Sequence, residues 1–167
     1  MRNRIDSEMQ EKLKKIINKS LDLLYENDKY LIDNNPEGNI KLDKLHHVGE
    51  RTIVFRLAYY MQKMIEEDTD LSMYNFDCEY NRNGVNKKEL PSFPDGVYPD
   101  IIIHNRGNND NNLLVIEVKT YWNNNTGKDE KKIKELMSKD GKYKFKHGVS
   151  LLIGKTREET IIKFLDN

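Results

Sequence analysis

Three charged side chains stand where a strand-forming sequence would ordinarily place apolar ones. Asp100 opens the run Ile101-Ile102-Ile103-His104, and Glu117 and Lys119 interrupt Leu113-Leu114-Val115-Ile116-Glu117-Val118-Lys119-Thr120. Side chains two apart on a strand share a face, so Glu117 and Lys119 point the same way. A buried charge is costly unless something compensates it or its pKa moves. A fourth candidate is Glu50, one turn before Val54 on a helical stripe continued by Leu57, Ala58, Met61, Met64 and Ile65. A carboxylate there would also suit the positive end of a helix. It is not half of a capping box, because position 47 is His47 rather than Ser or Thr.

Glu50, Asp100 and Glu117 offer hard oxygen donors, with the backbone carbonyl of Val118 beside them. Mg²⁺ favours such donors in octahedral geometry while keeping several waters, and Mn²⁺ is expected to substitute. An ion so held would lower the pKa of a bound water and neutralise charge building on phosphoryl oxygens. Lys119 could orient or deprotonate that water and stabilise the transition state. Two carboxylates near Lys119 favour its charged form, so it serves as a base only where a metal offsets them.

The elements that must position these groups follow from periodicity. Met9, Leu13, Ile16, Ile17, Leu21 and Leu24 predict an amphipathic helix from Ser7 to about Tyr25, with Ser7 and Gln10 as a capping box. Asn34 to Asn39 breaks the chain, and a second helix capped by Asp43 is expected to run to about Glu66. Met73 to Tyr80 alternates as a first strand, with Tyr74, Phe76 and Cys78 on one face and Glu79 on the other. Glu79 is read as an exposed strand residue before a further acid of the site. Asn81 to Tyr98 reads as a long irregular connection in which Pro94-Asp95-Gly96 is turn chemistry. Pro99-Asp100, by contrast, runs straight into a strand. The two apolar runs around Asn105 to Asn112 predict a β-hairpin, its second strand central because both faces are apolar. A third helix is expected from about Asp129 to Asp140-Gly141, then a strand over Val149 to Gly154. Thr156 with Glu159 suggests a capped closing helix carrying Ile161, Ile162, Phe164 and Leu165. The expected order is α-α-β-β-β-α-β-α in one α/β domain spanning 1–167, with a mixed central sheet flanked by helices (1–33 the N-terminal helix, 43–167 the core).

Composition narrows the class. The chain has 167 residues, 28 basic and 28 acidic, which argues against whole-molecule attraction to nucleic acid while leaving room for a local basic face. No apolar run approaches the roughly 20 residues that cross a bilayer, and no h-region follows Met1. The single Cys78 offers neither a disulfide nor a thiolate cluster. A cytoplasmic protein without membrane association is the expectation. Lys128, Lys131, Lys142 and Lys144 belong to a lysine-rich stretch that reads either as a solvated face or as contacts to a phosphate backbone. His46 and His47 are read as surface residues, His104 as a bystander, and Tyr121 and Trp122 as rim packing before base stacking.

Pro99-Asp100, Glu117-Val118-Lys119 on the next strand and Glu50 on a preceding helix together resemble the PD-(D/E)XK nuclease superfamily, the restriction-endonuclease-like fold. The resemblance covers the region from the second helix to the last strand. It implies an α-β-β-β-α-β core and Mg²⁺-dependent hydrolysis of DNA, or of RNA. Asp100 and Glu117 would then be metal ligands, Lys119 the catalytic lysine and Glu50 the helical acid. The Gln-x-x-x-Tyr motif of some exonuclease branches is absent from the third helix. The competing expectation is a catalytically inactive module on the same fold that binds nucleic acid or a protein partner. The sequence leaves open whether the chain forms a homodimer. No glycine-rich phosphate loop, Gly-x-Ser-x-Gly elbow or His-rich metal motif supports a small-molecule enzyme.

Overall fold

A computed structural model describes residues 2–41 and 46–166. Its elements are α1 (Arg2–Asn27), α2 (Lys29–Ile32), α3 (Glu50–Glu67), β1 (Asn75–Cys78), β2 (Arg82–Asn83), β3 (Asn86–Lys87), β4 (Ile101–His104), β5 (Leu114–Thr120), α4 (Gly127–Met137), β6 (His147–Ile153) and β7 (Ile161–Leu165). Strands β1-β4-β5-β6-β7 form one mixed sheet in that spatial order, and β2 and β3 make a separate small hairpin. Only β5 and β6 run parallel, joined by the crossover through α4; the other neighbours are antiparallel.

Strand alternation divides the interior into two layers. Ile101, Ile103, Leu114, Ile116 and Val118 pack with Leu13, Ile17, Leu21 and Leu24 of α1 and with Ile53, Leu57 and Met61 of α3. Ile102 and Val115 face the other way, onto Ile133, Leu136 and Met137 of α4 and onto Tyr143 and Phe145. The apolar hairpin is therefore covered on both sides, and β5 is central with six of its seven residues buried. Gly148 on β6 lets α4 lie close to the sheet: a Cβ there would overlap Ile133 Cγ2 and Met137 Sδ. Gly148→Ala is expected to destabilise the fold by roughly 1–3 kcal/mol through overpacking, read as a lower midpoint in urea denaturation.

Several elements depart from expectation. The first helix begins at Arg2, so Ser7 lies within it and caps nothing. Asp43, the expected cap of the second long helix, lies outside the described residues; α3 starts at Glu50 with Gly49 as its N-cap, so His46 and His47 precede the helix. The connection after β1 is not wholly irregular, because Gly84 adopts φ +60° in the turn between β2 and β3.

The predicted closing helix is a strand. Glu159 does accept from the Thr156 and Lys155 amides, at 3.4 and 3.1 Å, but these bonds close a turn rather than start a helix. Tyr25 reinforces that turn, its hydroxyl lying 2.7 Å from the Gly154 carbonyl and 2.5 Å from Thr160 Oγ1. The chain then returns antiparallel along β6, where Ile162 and Phe164 turn inward and Ile161 and Lys163 outward. No helix among the described residues is long and apolar enough to cross a membrane.

Candidate functional site

The pairing of β4 with β5 sets Ile101 opposite Ile116, which carries Asp100 to the position opposite Glu117 one residue further on. Both acids therefore project to the same side of the sheet, together with Lys119 and facing the layer that holds α4. Asp100 closes the strand end by accepting a 2.7 Å hydrogen bond from the Val118 amide. Glu117 is only 3% exposed. Glu50, the first residue of α3, reaches the same strand end and accepts from Lys119 Nζ at 2.9 Å.

Helix α4 supplies two groups that sequence reasoning passed over. Lys132 Nζ donates to Glu117 Oε2 at 2.6 Å and stands 3.6 Å from Asp129 Oδ1. Asp129 Oδ2 lies 3.3 Å from Lys119 Nζ, an ion-pair distance without hydrogen-bond alignment. Lys119 is therefore held by Glu50 and Asp129, not by Glu117 or Asp100. The signal was present in the sequence, since Asp129 lies one turn before Ile133 on the buried stripe of α4, as Glu50 does before Val54 on α3. Lys132, three residues after Asp129, was lost among the lysines around it.

Four carboxylates thus meet two ammonium groups, an excess of two acids. Both acids of the central pair are pushed up, first by burial. Burial, followed by the charge of Asp100, pushes Glu117 up to about 8, against the opposing pull of Lys132. Burial likewise pushes Asp100 up to about 6, although its bond from the Val118 amide works the other way. Burial opposes the charge on Lys119 and Lys132, but their carboxylate partners outweigh it and both are raised, so both stay ammonium. Two carboxylate oxygens, Glu50 Oε2 and Glu117 Oε1, are buried without a hydrogen-bond partner, while Asp129 Oδ2 has its ion pair with Lys119. Such orphans are rare in native interiors and point to something that completes them.

The donor set suits a hard cation in kind. No group of three or more His, Cys, Asp or Glu side chains among the described residues is arranged to hold a metal. Mg²⁺, however, is commonly bound by one or two carboxylates with waters completing its shell. Asp100 and Glu117, with the buried Glu117 Oε1 unpartnered, fit that description. Glu50 does not join them as a third ligand here, because Lys119 engages it. The Val118 carbonyl lies 3.5 Å from Lys119 Nζ.

The remaining candidates are dispersed. Lys128, Lys131, Lys142 and Lys144 are all exposed. Glu79 falls just beyond β1 with φ +51° and pairs with Arg51 at 2.7 Å. It shares a cleft of about 150 Å³ with Arg51, Val54, Phe55, Cys78 and Asp100. His47 is not a free surface residue: it stacks on Trp122 at 4.2 Å between ring centroids. His104 is buried and bonded to Asp77 at 2.8 Å, in a network that Arg106 completes, at the far end of β4 from Asp100. A cavity of about 560 Å³, lined by Leu90, Pro91, Pro94 and Tyr143 among others, contains none of the clustered acids.

The described residues thus form one α/β domain with a five-stranded mixed sheet and a half-buried cluster of acids and lysines at the end of its central strand. Comparison with family models, with curated proteins and with solved structures finds no match to this chain.

Proposed function

We propose that the chain is a metal-dependent nuclease of the PD-(D/E)XK kind, hydrolysing phosphodiester bonds of DNA or RNA. The observation that carries this reading is the facing pair Asp100 and Glu117, crowded on one side of the sheet with Glu117 Oε1 buried and unpartnered. Two like charges so placed invite a divalent cation, and Asp100, Glu117 and the Val118 carbonyl would hold Mg²⁺ or Mn²⁺. When bound, such an ion provides a water of lowered pKa and offsets negative charge on the phosphoryl group. Lys119 keeps its proton between Glu50 and Asp129, so its part is electrostatic: the ammonium orients the nucleophilic water and steadies charge developing on the phosphoryl oxygens. Asp129 and Glu50 fix that ammonium in place, and Lys132 does the same for Glu117.

The inactive-module reading draws on the same ion pairs, since Lys119 and Lys132 offset part of the acidic charge without any metal. Against it stands Glu117 Oε1, buried and unpartnered despite Lys132 on the other oxygen. End-labelled DNA and RNA incubated with Mg²⁺ or Mn²⁺ are expected to be cut, EDTA to stop the cutting, and Asp100→Asn to abolish it. Intact substrate under every one of these conditions, with no Mn²⁺ bound in a calorimetric titration, would overturn the nuclease assignment.

A further inference from the structure

The outer face of α3 carries a row of side chains that neither the core nor the acidic cluster uses. Arg51, Phe55, Tyr59 and Lys63 recur every four residues, and neighbours at that spacing line one side of a helix. Phe55 is 65% exposed and Tyr59 41%. The fold leaves most of the Phe55 ring in solvent, where it borders the cleft that contains Asp100. The row therefore begins at the candidate active site and leads away from it. Tyr98, two residues before Asp100, adds a further exposed ring in the same region of sequence.

From this juxtaposition we infer that the outer face of α3 binds single-stranded nucleic acid, with one base stacked on Phe55, a second on Tyr59, and Arg51 and Lys63 meeting the phosphates. The inference rests on the nuclease reading for the nature of the ligand and adds its strandedness. Four residues of helix advance about 6 Å, well beyond the roughly 3.4 Å between stacked bases of a duplex strand. Ring-bearing positions so spaced suit bases splayed apart, whereas the stacked bases inside a duplex present no free π-face to them. Aromatic rings accept any base by its π-face, and cations interleaved with them track the backbone.

The charges favour this occupant over a second apolar surface. Arg51 pairs with Glu79, but its side chain is 85% exposed and keeps donors free for a phosphate. The Lys63 ammonium sits 4.9 Å from the Tyr59 ring centroid, and the Arg56 guanidinium 5.2 Å from it. A base stacking on Tyr59 displaces the flexible Lys63 stem, which then reaches the adjoining phosphate. Arg56 stays anchored to Asp28 and Tyr60.

Binding is measured by fluorescence anisotropy in EDTA, so that no strand is cut, using oligothymidylate, oligouridylate and a mixed-sequence duplex of equal length. Phe55→Ala is expected to weaken binding of a single strand by roughly tenfold, and the double variant with Tyr59→Ala by more, with duplex binding changed less than twofold. The oligothymidylate and oligouridylate arms separate a DNA from an RNA preference. A 2-aminopurine base in the strand should be quenched by the wild-type protein, released in Phe55→Ala and quenched again in Phe55→Trp. Because Phe55 is exposed, the thermal midpoint should not move, which separates these effects from misfolding.

Unchanged single-strand affinity in Phe55→Ala overturns the inference, as does equal loss for single strand and duplex, or no binding by the wild type. A wild-type dimer that Phe55→Ala dissociates overturns it too, by assigning the ring to a second copy of the chain. Cleavage that survives alongside any of these results leaves the nuclease reading intact. Loss of cleavage with ring-dependent strand binding retained sinks only the nuclease reading.

Discussion

Glu117→Gln is expected to lower metal-dependent cleavage by at least roughly a hundredfold, the scale of removing one preorganised charged group from a dry site. The substitution preserves shape and leaves Lys132 an oxygen to donate to, so it isolates the charge. Glu117 is almost fully enclosed, faces Asp100 across the strand pair, and has one oxygen with no partner. On the nuclease reading, a neutral amide there would remove a cation ligand and turn a donor toward the place where a cation would sit. The same change should not harm the fold. A buried carboxylate beside another is a burden on the native state, so the thermal midpoint in EDTA is expected to hold or rise at pH 8. Single-turnover cleavage at saturating Mn²⁺ together with the thermal midpoint reads both effects. A variant that cuts at the wild-type rate would remove Glu117 from the machinery, and one that melts far below the wild type would make it a purely structural anchor.

The parts of this site that could be read in the sequence are those fixed by short-range rules. Period two puts Glu117 and Lys119 on one face, and the β-branched runs on either side of Asn105 to Asn112 can hardly be anything but a hairpin. Glu50 was legible because a helix stripe has period 3.6 and Glu50 falls on it. The same reasoning applied to Asp129 would have reached α4. What no local rule could supply was the parallel crossover that lays α4 over the face bearing Glu117, and with it the pairing of Lys132 to Glu117.

β7 failed for a related reason. Five residues, Ile161-Ile162-Lys163-Phe164-Leu165, are too few to separate period two from period 3.6. Thr156 and Glu159 make similar side-chain bonds at a helix start and in a tight turn. The decision lay with Tyr25, distant in sequence, whose hydroxyl meets the turn at Gly154 and Thr160. The stacking of His47 on Trp122 is long-range in the same sense and was invisible for that reason.

Stability of the metal-free protein is expected to fall as pH rises from 5 to 8.5, and divalent metal to cancel most of that fall. Glu117 is pushed up to about 8 from an ordinary 4.5, and Asp100 to about 6 from 3.8, in both cases first by burial. A carboxyl whose pKa is higher in the folded than in the unfolded chain holds its proton more tightly when folded. Between the two values the native state carries more protons than the unfolded one, so unfolding releases protons and becomes easier as pH rises. The window for Glu117 runs from about 4.5 to about 8, with Asp100 contributing to its lower half. Each unit of displacement corresponds to about 1.4 kcal/mol. With the pull of Lys132 already contained in the Glu117 value, about three units from Glu117 and about one from Asp100 above pH 5 set a total loss on the order of 5 kcal/mol. Glu117→Gln should remove most of the slope. A cation that binds the deprotonated acids stabilises the native state by mass action, and more so where the acids are already ionised, so Mn²⁺ should raise the midpoint further at pH 8 than at pH 5. Urea denaturation at a series of pH values, in EDTA and in Mn²⁺, measures all of this. A profile in EDTA that rises toward pH 8, or a metal effect equal at both ends, would mean that Asp100 and Glu117 are already neutralised by Lys119 and Lys132 and have no place for an ion.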